Sequence, residues 1–150
     1  LLKGLSDKGF VFYSNFNSKK GSELKVNQKS SMCFHWKSLR RQVRIWGKVE
    51  EVTKEEADEY YNSRPYKNRI GAWASSQSQK MEKREVLLKK INEFEKKYPD
   101  QNLVPRPPHW SGWRLLPDEI EFWVDGEGRI HERLSYKKVN NKWTKELLFP

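Results

Sequence analysis

The stretch EIEFWVDGEGRIHERLSY, residues 119–136, decides the fold of this chain. Two runs rich in β-branched and aromatic residues flank the tetrapeptide DGEG, which has the composition of a turn. This pattern predicts a β-hairpin, in which two neighbouring strands run antiparallel. We therefore expect a protein built mainly on an antiparallel sheet.

The second strand of this hairpin has a basic face. Because side chains alternate along a strand, Arg129, His131 and Arg133 share one face. Ile130 and Leu134 occupy the other face. A solvated sheet face explains the pattern without any function, whereas a site for an anionic ligand explains it with one. The hairpin alone leaves both explanations open.

Other segments of the chain also have the composition of strands. They are rich in β-forming residues, and turn residues separate them. A turn signal at Pro117 and Asp118 divides the segment before the hairpin into two strands. The predicted strands cover residues 9–15, 30–36, 41–52, 112–116, 119–124, 129–136 and 142–149.

Helical patterns occupy much of the rest of the chain. Thr53 is followed three residues later by Glu56, which is the capping-box signature of a helix start. A proline-rich loop is predicted over residues 99–112. The other predicted helices lie within residues 17–24, 68–79 and 82–98, and the last has an apolar stripe formed by Val86, Leu87, Ile91 and Phe94.

The order of these segments is strands, then helices, then strands. This order indicates an α+β protein with an antiparallel sheet or barrel. The 150 residues have the length of one domain, and no repeat or linker divides them, so we expect a single domain over residues 1–150. Because the chain begins with LLKG and no Met, we expect that an N-terminal segment is missing.

Composition narrows the class of protein. Seven Trp, six Tyr and seven Phe are too many for a disordered chain. They favour a small core of large rings, which an oligomer interface would help to complete. The formal charge of +10 predicts attraction to anions, such as nucleic acid, a membrane surface or phosphorylated small molecules.

The single cysteine, Cys33, excludes an intrachain disulfide and favours a reducing, cytoplasmic compartment. We expect Cys33 to be buried, because it lies in the apolar run MCFHW. No apolar run is long enough to span a bilayer, and no signal peptide is visible.

The common motifs of metal and nucleotide sites are absent. The three histidines are scattered, without the spacing of zinc ligands. The patterns GxSxG, GxGxxG and GxxxxGK[ST] do not occur, although a Ser-His-Asp triad with other spacing stays open. Basic and aromatic residues instead stand at turns and strand ends, where each has an ordinary explanation as a solvated, packing or core residue: Lys19, Lys20, Tyr60, Arg64 and Trp123.

The order of short motifs along the chain resembles the pyridoxamine 5′-phosphate oxidase family. The matching blocks include SNFNSKKG, YYNSRP, IGAWAS, VPRPPHW and EIEFW followed by GRIHER, and the likeness runs along essentially the whole chain. The resemblance implies an FMN-binding split β-barrel with flanking helices. It also implies a homodimer with one FMN at each of two sites between the subunits.

An activity follows from the same resemblance. The family oxidises pyridoxine 5′-phosphate or pyridoxamine 5′-phosphate to pyridoxal 5′-phosphate. Hydride passes from the 4′ carbon of the substrate to the flavin, and O2 reoxidises the flavin to give H2O2. Because FMN and the substrate both carry phosphate, this activity accounts for the basic charge without nucleic acid or a membrane as a partner.

The resemblance also implies roles for the residues at matching positions. Arg129 and His131 bracket the substrate ring and are the candidate catalytic residues, and the sequence does not decide which of them assists proton removal. The implied substrate-binding set is Lys3, Tyr60, Arg64, Asn68, Arg129 and His131. The implied FMN-binding set is Tyr13, Ser14, Lys19, Lys20, Gln42, Gln77, Ser78, Trp123 and Arg133.

The chain departs from the family pattern at several positions. Lys19 stands where arginine is usual, and Asn68 stands where serine is usual. Trp46 replaces a glutamate, and Val124 and Asp125 replace Gln-Gly. Two alternatives therefore stay open. One is a flavin- or pyridoxal-phosphate-binding protein of the same fold with little or no oxidase activity. The other is a nucleic-acid-binding domain, which only the charge and the aromatic residues support.

Overall fold

The computed structural model describes residues 1–150. Seven strands form one antiparallel sheet that curls into a half-barrel, and four α-helices flank it, which confirms the predicted α+β class and split β-barrel. The elements are β1 (Gly4–Ser6), β2 (Gly9–Asn15), α1 (Lys19–Val26), β3 (Lys29–Trp36), β4 (Arg41–Glu51), α2 (Lys54–Asn62), α3 (Tyr66–Ala74), α4 (Arg84–Lys97), β5 (Trp110–Val124), β6 (Glu132–Val139) and β7 (Lys142–Leu148), with 3₁₀ turns at Lys37–Leu39 and Glu127–Arg129.

Strand β5 organises the sheet, because it is 15 residues long and has three partner strands. Strand β4 pairs with one edge of β5 along residues 113–124. Strands β2 and β6 divide the other edge, since β2 pairs with residues 110–115 and β6 pairs with residues 119–124. The two halves of β5 therefore have different neighbours and belong to different ends of the sheet.

The turn predicted at Pro117 and Asp118 is wrong, because β5 continues through both residues. The pairing with β4 is irregular there: Gly47 pairs with Pro117, whereas Trp46 pairs with Glu119. The extra residue on β5 forms a β-bulge, which is one of the few places in a sheet that tolerates a proline. The PD dipeptide has the composition of a turn, but pairing with β4 determines its conformation.

The hairpin of β5 and β6 is confirmed, but its second strand begins later than predicted. Strand β6 starts at Glu132. Arg129 has a left-handed backbone with φ 66°, and the glycine before it is left-handed too. The chain therefore turns where the sequence pattern predicts an extended strand. The predicted common face of Arg129, His131 and Arg133 is wrong, because only Arg133 lies on β6.

The main core packs one face of the sheet against α1. The ring of Trp113 stacks on Phe16 with 4.7 Å between the centroids, and Trp113 is 1% exposed. Fully burying an aliphatic or aromatic side chain contributes about 1.5–3 kcal/mol. The buried members of this core are Phe16, Leu24, Ile45, Val49, Trp113 and Leu115.

Cys33 is exposed, so the prediction that it is buried is wrong. Strand β3 is an edge strand that pairs only with β4. Its half-buried side chains include Met32 and Phe34, and the alternation of the strand turns Cys33 to the opposite, open face. The apolar run MCFHW does not reveal this, because strand order decides which face is covered.

The helices agree closely with the prediction. In α2, the Thr53 hydroxyl accepts the Glu56 N–H, and the Glu56 carboxylate accepts the Thr53 N–H, so the capping box is confirmed. Helix α4 forms as predicted, but none of its residues is fully buried, and Val86 is exposed. No helix has both the length and the apolar character needed to cross a bilayer.

An apolar surface stays open around the β5–β6 hairpin and the C-terminal residues. We call Phe122, Ile130, Leu147 and Phe149 the C-terminal apolar surface, and their exposed fractions run from 43% to 94%. A cleft of about 520 Å³ lies between Phe122 and Leu147. Contiguous apolar surface of this kind marks an interaction site in soluble proteins.

Candidate active site

The predicted site residues fall into two groups at opposite ends of β5. One group surrounds Trp110, where β5 begins, and the other surrounds Trp123, near its end. The two tryptophans are separated by roughly 40 Å of strand at the usual rise per residue. We call the first group the Trp110 cavity and the second the Trp123 cluster.

The Trp110 cavity has a volume of about 300 Å³ and lies between β2, α3 and the start of β5. Two of its lining residues, Arg64 and Lys67, are cations, and none is a carboxylate. The cavity therefore attracts anions. Three predicted residues line it, with further polar and aromatic neighbours: Arg64, Asn68 and Gln77, together with Asn15, Lys67 and Trp110.

Arg64 is held in this cavity by an aromatic ring. Its guanidinium carbon lies 4.7 Å from the centroid of Trp110. Burial lowers the pKa of Arg64. One guanidinium nitrogen, Nη1, is buried without a hydrogen-bond partner. A buried N–H donor without an acceptor is costly, so an anionic ligand would satisfy a group that the protein leaves unpaired.

Tyr13 and Tyr60 extend the aromatic wall next to Trp110. The Tyr13 ring stacks on Tyr60 at 4.1 Å and on Trp110 at 5.1 Å between centroids. Gly112 lies opposite Tyr13 in the sheet, and a Cβ at Gly112 would come within 2.8 Å of the Tyr13 ring. The glycine therefore makes room for the flat stack. Burial, followed by the nearby Glu56 carboxylate, raises the pKa of Tyr13, which keeps its phenol protonated.

Ser14 and Asn15 end β2, and Gln77 contacts the second of them. Ser14 is buried, and its Oγ has no hydrogen-bond partner. The next residue, Asn15, donates its backbone N–H to Gln77 Oε1 at 3.3 Å. Ser78 has a left-handed backbone with φ 69° and lines a neighbouring cleft, which Gln77 also lines. Asn15 and Gln77 thus border the Trp110 cavity, whereas Ser14 is not among its lining residues.

The predicted lysines do not line this cavity. Lys3, Lys19 and Lys20 are exposed. Lys19 Nζ lies 3.9 Å from a carboxylate oxygen of Glu23, and Lys20 Nζ lies 5.3 Å from the ring centroid of Phe12. Their roles toward a phosphate stay predictions.

The Trp123 cluster is built by sheet register. Gln42, Trp123 and Arg133 are direct neighbours across β4, β5 and β6, so their side chains share one face. The His131 ring lies 4.6 Å from the Trp123 ring. These four predicted residues are brought together. Arg129 is exposed on its turn.

Glu121 is a buried carboxylate on this face that binds two arginines. Its side chain is 3% exposed and accepts hydrogen bonds from Arg133 Nε at 3.0 Å and from Arg44 Nη2 at 2.7 Å. Burial alone would raise the pKa of Glu121, but the bonds from Arg133 and Arg44 outweigh it and lower the pKa. The carboxylate therefore stays ionised and orients Arg133.

Sequence reasoning missed several residues that the structure places in these groups, including Asn15 and Trp110 at the cavity and Glu121 in the cluster. Lys67 lines the Trp110 cavity next to Asn68, and Asp125 contacts His131 in the Trp123 cluster. The only sequence signal for Asp125 is its departure from the family pattern, and the only signal for Lys67 is its position next to the predicted residue Asn68. No group of three or more His, Cys, Asp and Glu side chains is placed to hold a metal ion.

Two family models match this chain. The model described as pyridoxamine 5′-phosphate oxidase matches residues 2–98, and the model described as pyridoxine 5′-phosphate oxidase C-terminal dimerisation region matches residues 110–150. A pyridoxine/pyridoxamine 5′-phosphate oxidase from Pelagibacter ubique is 61% identical over all of this chain and 73% of its own length. One from Agrobacterium fabrum is 51% identical with the same coverage.

Solved structures agree with the fold. PhzG from Burkholderia lata, in complex with tetrahydrophenazine-1-carboxylic acid, superposes with a TM-score of 0.91 at 30% identity over 99% of this chain and 72% of its own. A pyridoxamine 5′-phosphate oxidase-related, FMN-binding protein from Nostoc punctiforme reaches 0.77 at 15% identity, over all of this chain and 78% of its own, which supports the fold alone.

The half-barrel and the paired family models define the class of protein, a split-barrel oxidoreductase. More narrowly, the chain belongs to the pyridoxine/pyridoxamine 5′-phosphate oxidase family, as the relatives that are 61% and 51% identical over the aligned residues establish. Its C-terminal part is the dimerisation region of that family.

Proposed function

We propose that this chain oxidises pyridoxamine 5′-phosphate or pyridoxine 5′-phosphate to pyridoxal 5′-phosphate, with FMN as its cofactor. The observation that carries the proposal is the Trp110 cavity. There Arg64 presents a buried, unpaired guanidinium N–H beside Lys67, and no carboxylate lines the wall. A phosphate accepts charge-assisted hydrogen bonds from such a pair of cations.

The residues of the chain also fit FMN. The buried Ser14 Oγ lacks a partner, and the next residue, Asn15, donates its backbone N–H to Gln77 Oε1. A hydroxyl and a side-chain amide suit the polar edge of a flavin. Lys19 and Lys20, at the start of α1, would approach the cofactor phosphate, because a helix start favours negative charge. When bound, FMN would supply the acceptor for the hydride from the 4′ carbon of the substrate, with O2 as the final oxidant reduced to H2O2; for the amine substrate, water would be consumed and ammonia released.

The task of the protein is alignment, since hydride transfer needs little covalent help from side chains. Arg64, Lys67 and Asn68 hold the substrate phosphate in the Trp110 cavity, and Tyr60 and Lys3 approach it from the same side. Arg129 and His131 orient the pyridine ring from the other side: Arg129 supplies charge, and His131 supplies a hydrogen-bonding ring nitrogen.

We further propose that the site is completed by a second copy of the chain. Roughly 40 Å of strand separates Trp110 from Trp123, so one chain holds the two halves of the site apart. The C-terminal apolar surface and the match to a dimerisation region support a homodimer that buries this surface. In such a dimer the Trp110 cavity of one subunit would face the Trp123 cluster of the other.

A cytoplasmic location belongs to the same proposal. The free, exposed thiol of Cys33 is compatible with a reducing compartment. This location can be tested by fractionating cells that express the tagged full-length protein. We expect the protein in the cytosolic fraction, and recovery outside the cytosol would contradict the proposal.

The oxidase proposal is tested by the visible spectrum of the FMN-loaded protein. We expect pyridoxamine 5′-phosphate, added without oxygen, to bleach the flavin bands, and air to restore them with formation of H2O2. A yellow protein that does not bleach would instead support the binding-only alternative. A protein that cannot retain added FMN would contradict the cofactor assignment.

Variants separate the two halves of the site. Arg129→Ala should retain FMN and lose most of its turnover, because Arg129 orients substrate and does not bind the cofactor. Lys20→Ala should retain turnover at saturating FMN and lose FMN on dialysis. Both roles would be contradicted if Arg129→Ala lost FMN but kept its turnover at saturating FMN, and if Lys20→Ala kept FMN but lost its turnover.

A further inference from the structure

Asp125 lies between Arg40 and His131. Its Oδ2 accepts a hydrogen bond from Arg40 Nε at 2.6 Å, and its backbone N–H donates to the Arg40 carbonyl oxygen at 3.0 Å. Its Oδ1 lies 3.2 Å from His131 Nδ1. Two contacts with Arg40 therefore fix the carboxylate while its other oxygen faces the imidazole.

His131 Nδ1 has two possible partners. The backbone N–H of Gly126 is placed to donate to Nδ1 at 3.2 Å, which equals the distance from Nδ1 to Asp125 Oδ1. In a neutral imidazole, a ring nitrogen either carries a proton or offers a lone pair, so Nδ1 bonds to only one of these groups. If Nδ1 accepted the Gly126 N–H, its lone pair would face the Asp125 carboxylate at 3.2 Å.

The charged partner is the stronger one. A hydrogen bond to a carboxylate is roughly twice as strong as a neutral one. Gly126 is only half-buried, so water can satisfy its N–H when the histidine does not. The carboxylate therefore favours the tautomer with a proton on Nδ1, which leaves a lone pair on Nε2.

We propose that Asp125 is a positioning residue for His131: its carboxylate accepts a hydrogen bond from Nδ1–H, which keeps the proton on Nδ1 and leaves Nε2 as a hydrogen-bond acceptor for the substrate. The Trp123 ring packs against the imidazole, with 4.6 Å between the centroids and a tilt of 41°, and so limits its rotation. This inference rests on the proposed function, in which His131 orients the substrate ring. Where the family pattern has glycine, this chain uses a side chain to set the histidine tautomer.

The tautomer is measurable in the FMN-loaded protein without turnover. Nitrogen-15 NMR of protein labelled on histidine distinguishes protonated Nδ1 from protonated Nε2, and the chain has only three histidines to resolve. His131→Gln identifies the His131 signals. At alkaline pH, where an ordinary imidazole is neutral, we expect His131 to carry its proton on Nδ1.

Asp125→Asn is the informative variant, because it keeps the size of the side chain and removes the charge. We expect it to move the proton of His131 to Nε2, as Nδ1 turns to the Gly126 N–H. Asp125→Ala should do the same. Asp118→Asn is the matched control, since Asp118 is an exposed aspartate on β5 that is outside both groups; it should leave the tautomer unchanged.

Kinetics supply the second readout. Losing an acceptor bond to the substrate should lower kcat/KM by about tenfold in Asp125→Asn, with FMN retention unchanged. A wild-type His131 that carries its proton on Nε2 would overturn the proposal even if the enzyme is active. A tautomer shift in a protein without oxidase activity would support the positioning role and contradict the proposed function, so the two failures are distinct.

Discussion

Replacing Glu121 by alanine should destabilise the fold by about 2 kcal/mol. Breaking a buried ion pair by removing one partner costs about 3–5 kcal/mol, because the remaining charge is left unpaired. Here the carboxylate is 3% exposed, but the side chains of Arg44 and Arg133 are 38% and 26% exposed. Water therefore compensates part of the loss, which reduces the expected cost.

Urea unfolding of the wild type and of Glu121→Ala, at equal protein concentration and with FMN absent, measures this difference. For a chain of this length, 2 kcal/mol corresponds to a decrease in Tm of about 4–8 °C. The matched control is Glu119→Ala, because Glu119 is a neighbouring carboxylate on β5 that is not fully buried. A loss below about 0.5 kcal/mol for Glu121→Ala would refute the reasoning.

The pH dependence gives the same prediction a second check. Because the folded-state pKa of Glu121 is lowered, its contribution is present above the ordinary glutamate pKa and is lost as the pH falls through the folded value. The stability difference between wild type and Glu121→Ala should therefore shrink as the solution is acidified below the usual glutamate range. A difference that grows on acidification would contradict the assignment.

Other predictions concern the site and the interface. Arg64→Met should raise the KM for pyridoxamine 5′-phosphate by about 10- to 100-fold while FMN stays bound, since a charge-assisted bond to phosphate is lost; an unchanged KM in steady-state kinetics would contradict this. Lys67→Gln should raise the KM by a smaller factor, about 2- to 5-fold, because Lys67 is exposed; an effect larger than that of Arg64→Met would reverse our ranking. Gly112→Ala should cost about 1–3 kcal/mol in urea unfolding, because the new methyl group would meet the Tyr13 ring; a neutral effect would show that the stack can move. Leu147→Asp should convert the dimer to monomers in light scattering and lower turnover, and full activity as a monomer would contradict the shared site.

Much of the fold could be predicted because strand and helix patterns are local. The alternation in β2 and β4 and the capping box of α2 are properties of short segments, and they appear in the structure where the sequence places them. The errors concern features that depend on a distant partner. Pro117 joins a bulge because β4 pairs across it, and Cys33 is exposed because the face of β3 on which it lies is not covered by another part of the chain.

Within the candidate site, the residues on strands could be predicted better than those on the connecting turn. The pairing register of β4, β5 and β6 places Gln42, Trp123 and Arg133 directly opposite one another, and all three lie on segments that the sequence predicts to be strands. The contact of Asp125 with His131 could not be predicted, because it depends on the left-handed residues of the connecting turn. The sequence of a turn does not determine where its side chains lie, because the backbone angles of each residue set the position of the residues that follow.

The division of one edge of β5 between β2 and β6 also sets an order of assembly. During synthesis, β2, β4 and the first half of β5 can pair as soon as β5 is complete, but the second half keeps one edge unpaired until β6 emerges. Unpaired backbone groups on such an edge are a template for pairing with another molecule. A nascent chain that ends at Val124 would thus be prone to pair with other molecules along residues 119–124, and the β6–β7 hairpin both covers that edge and adds Leu147 to the surface through which we propose that two copies meet.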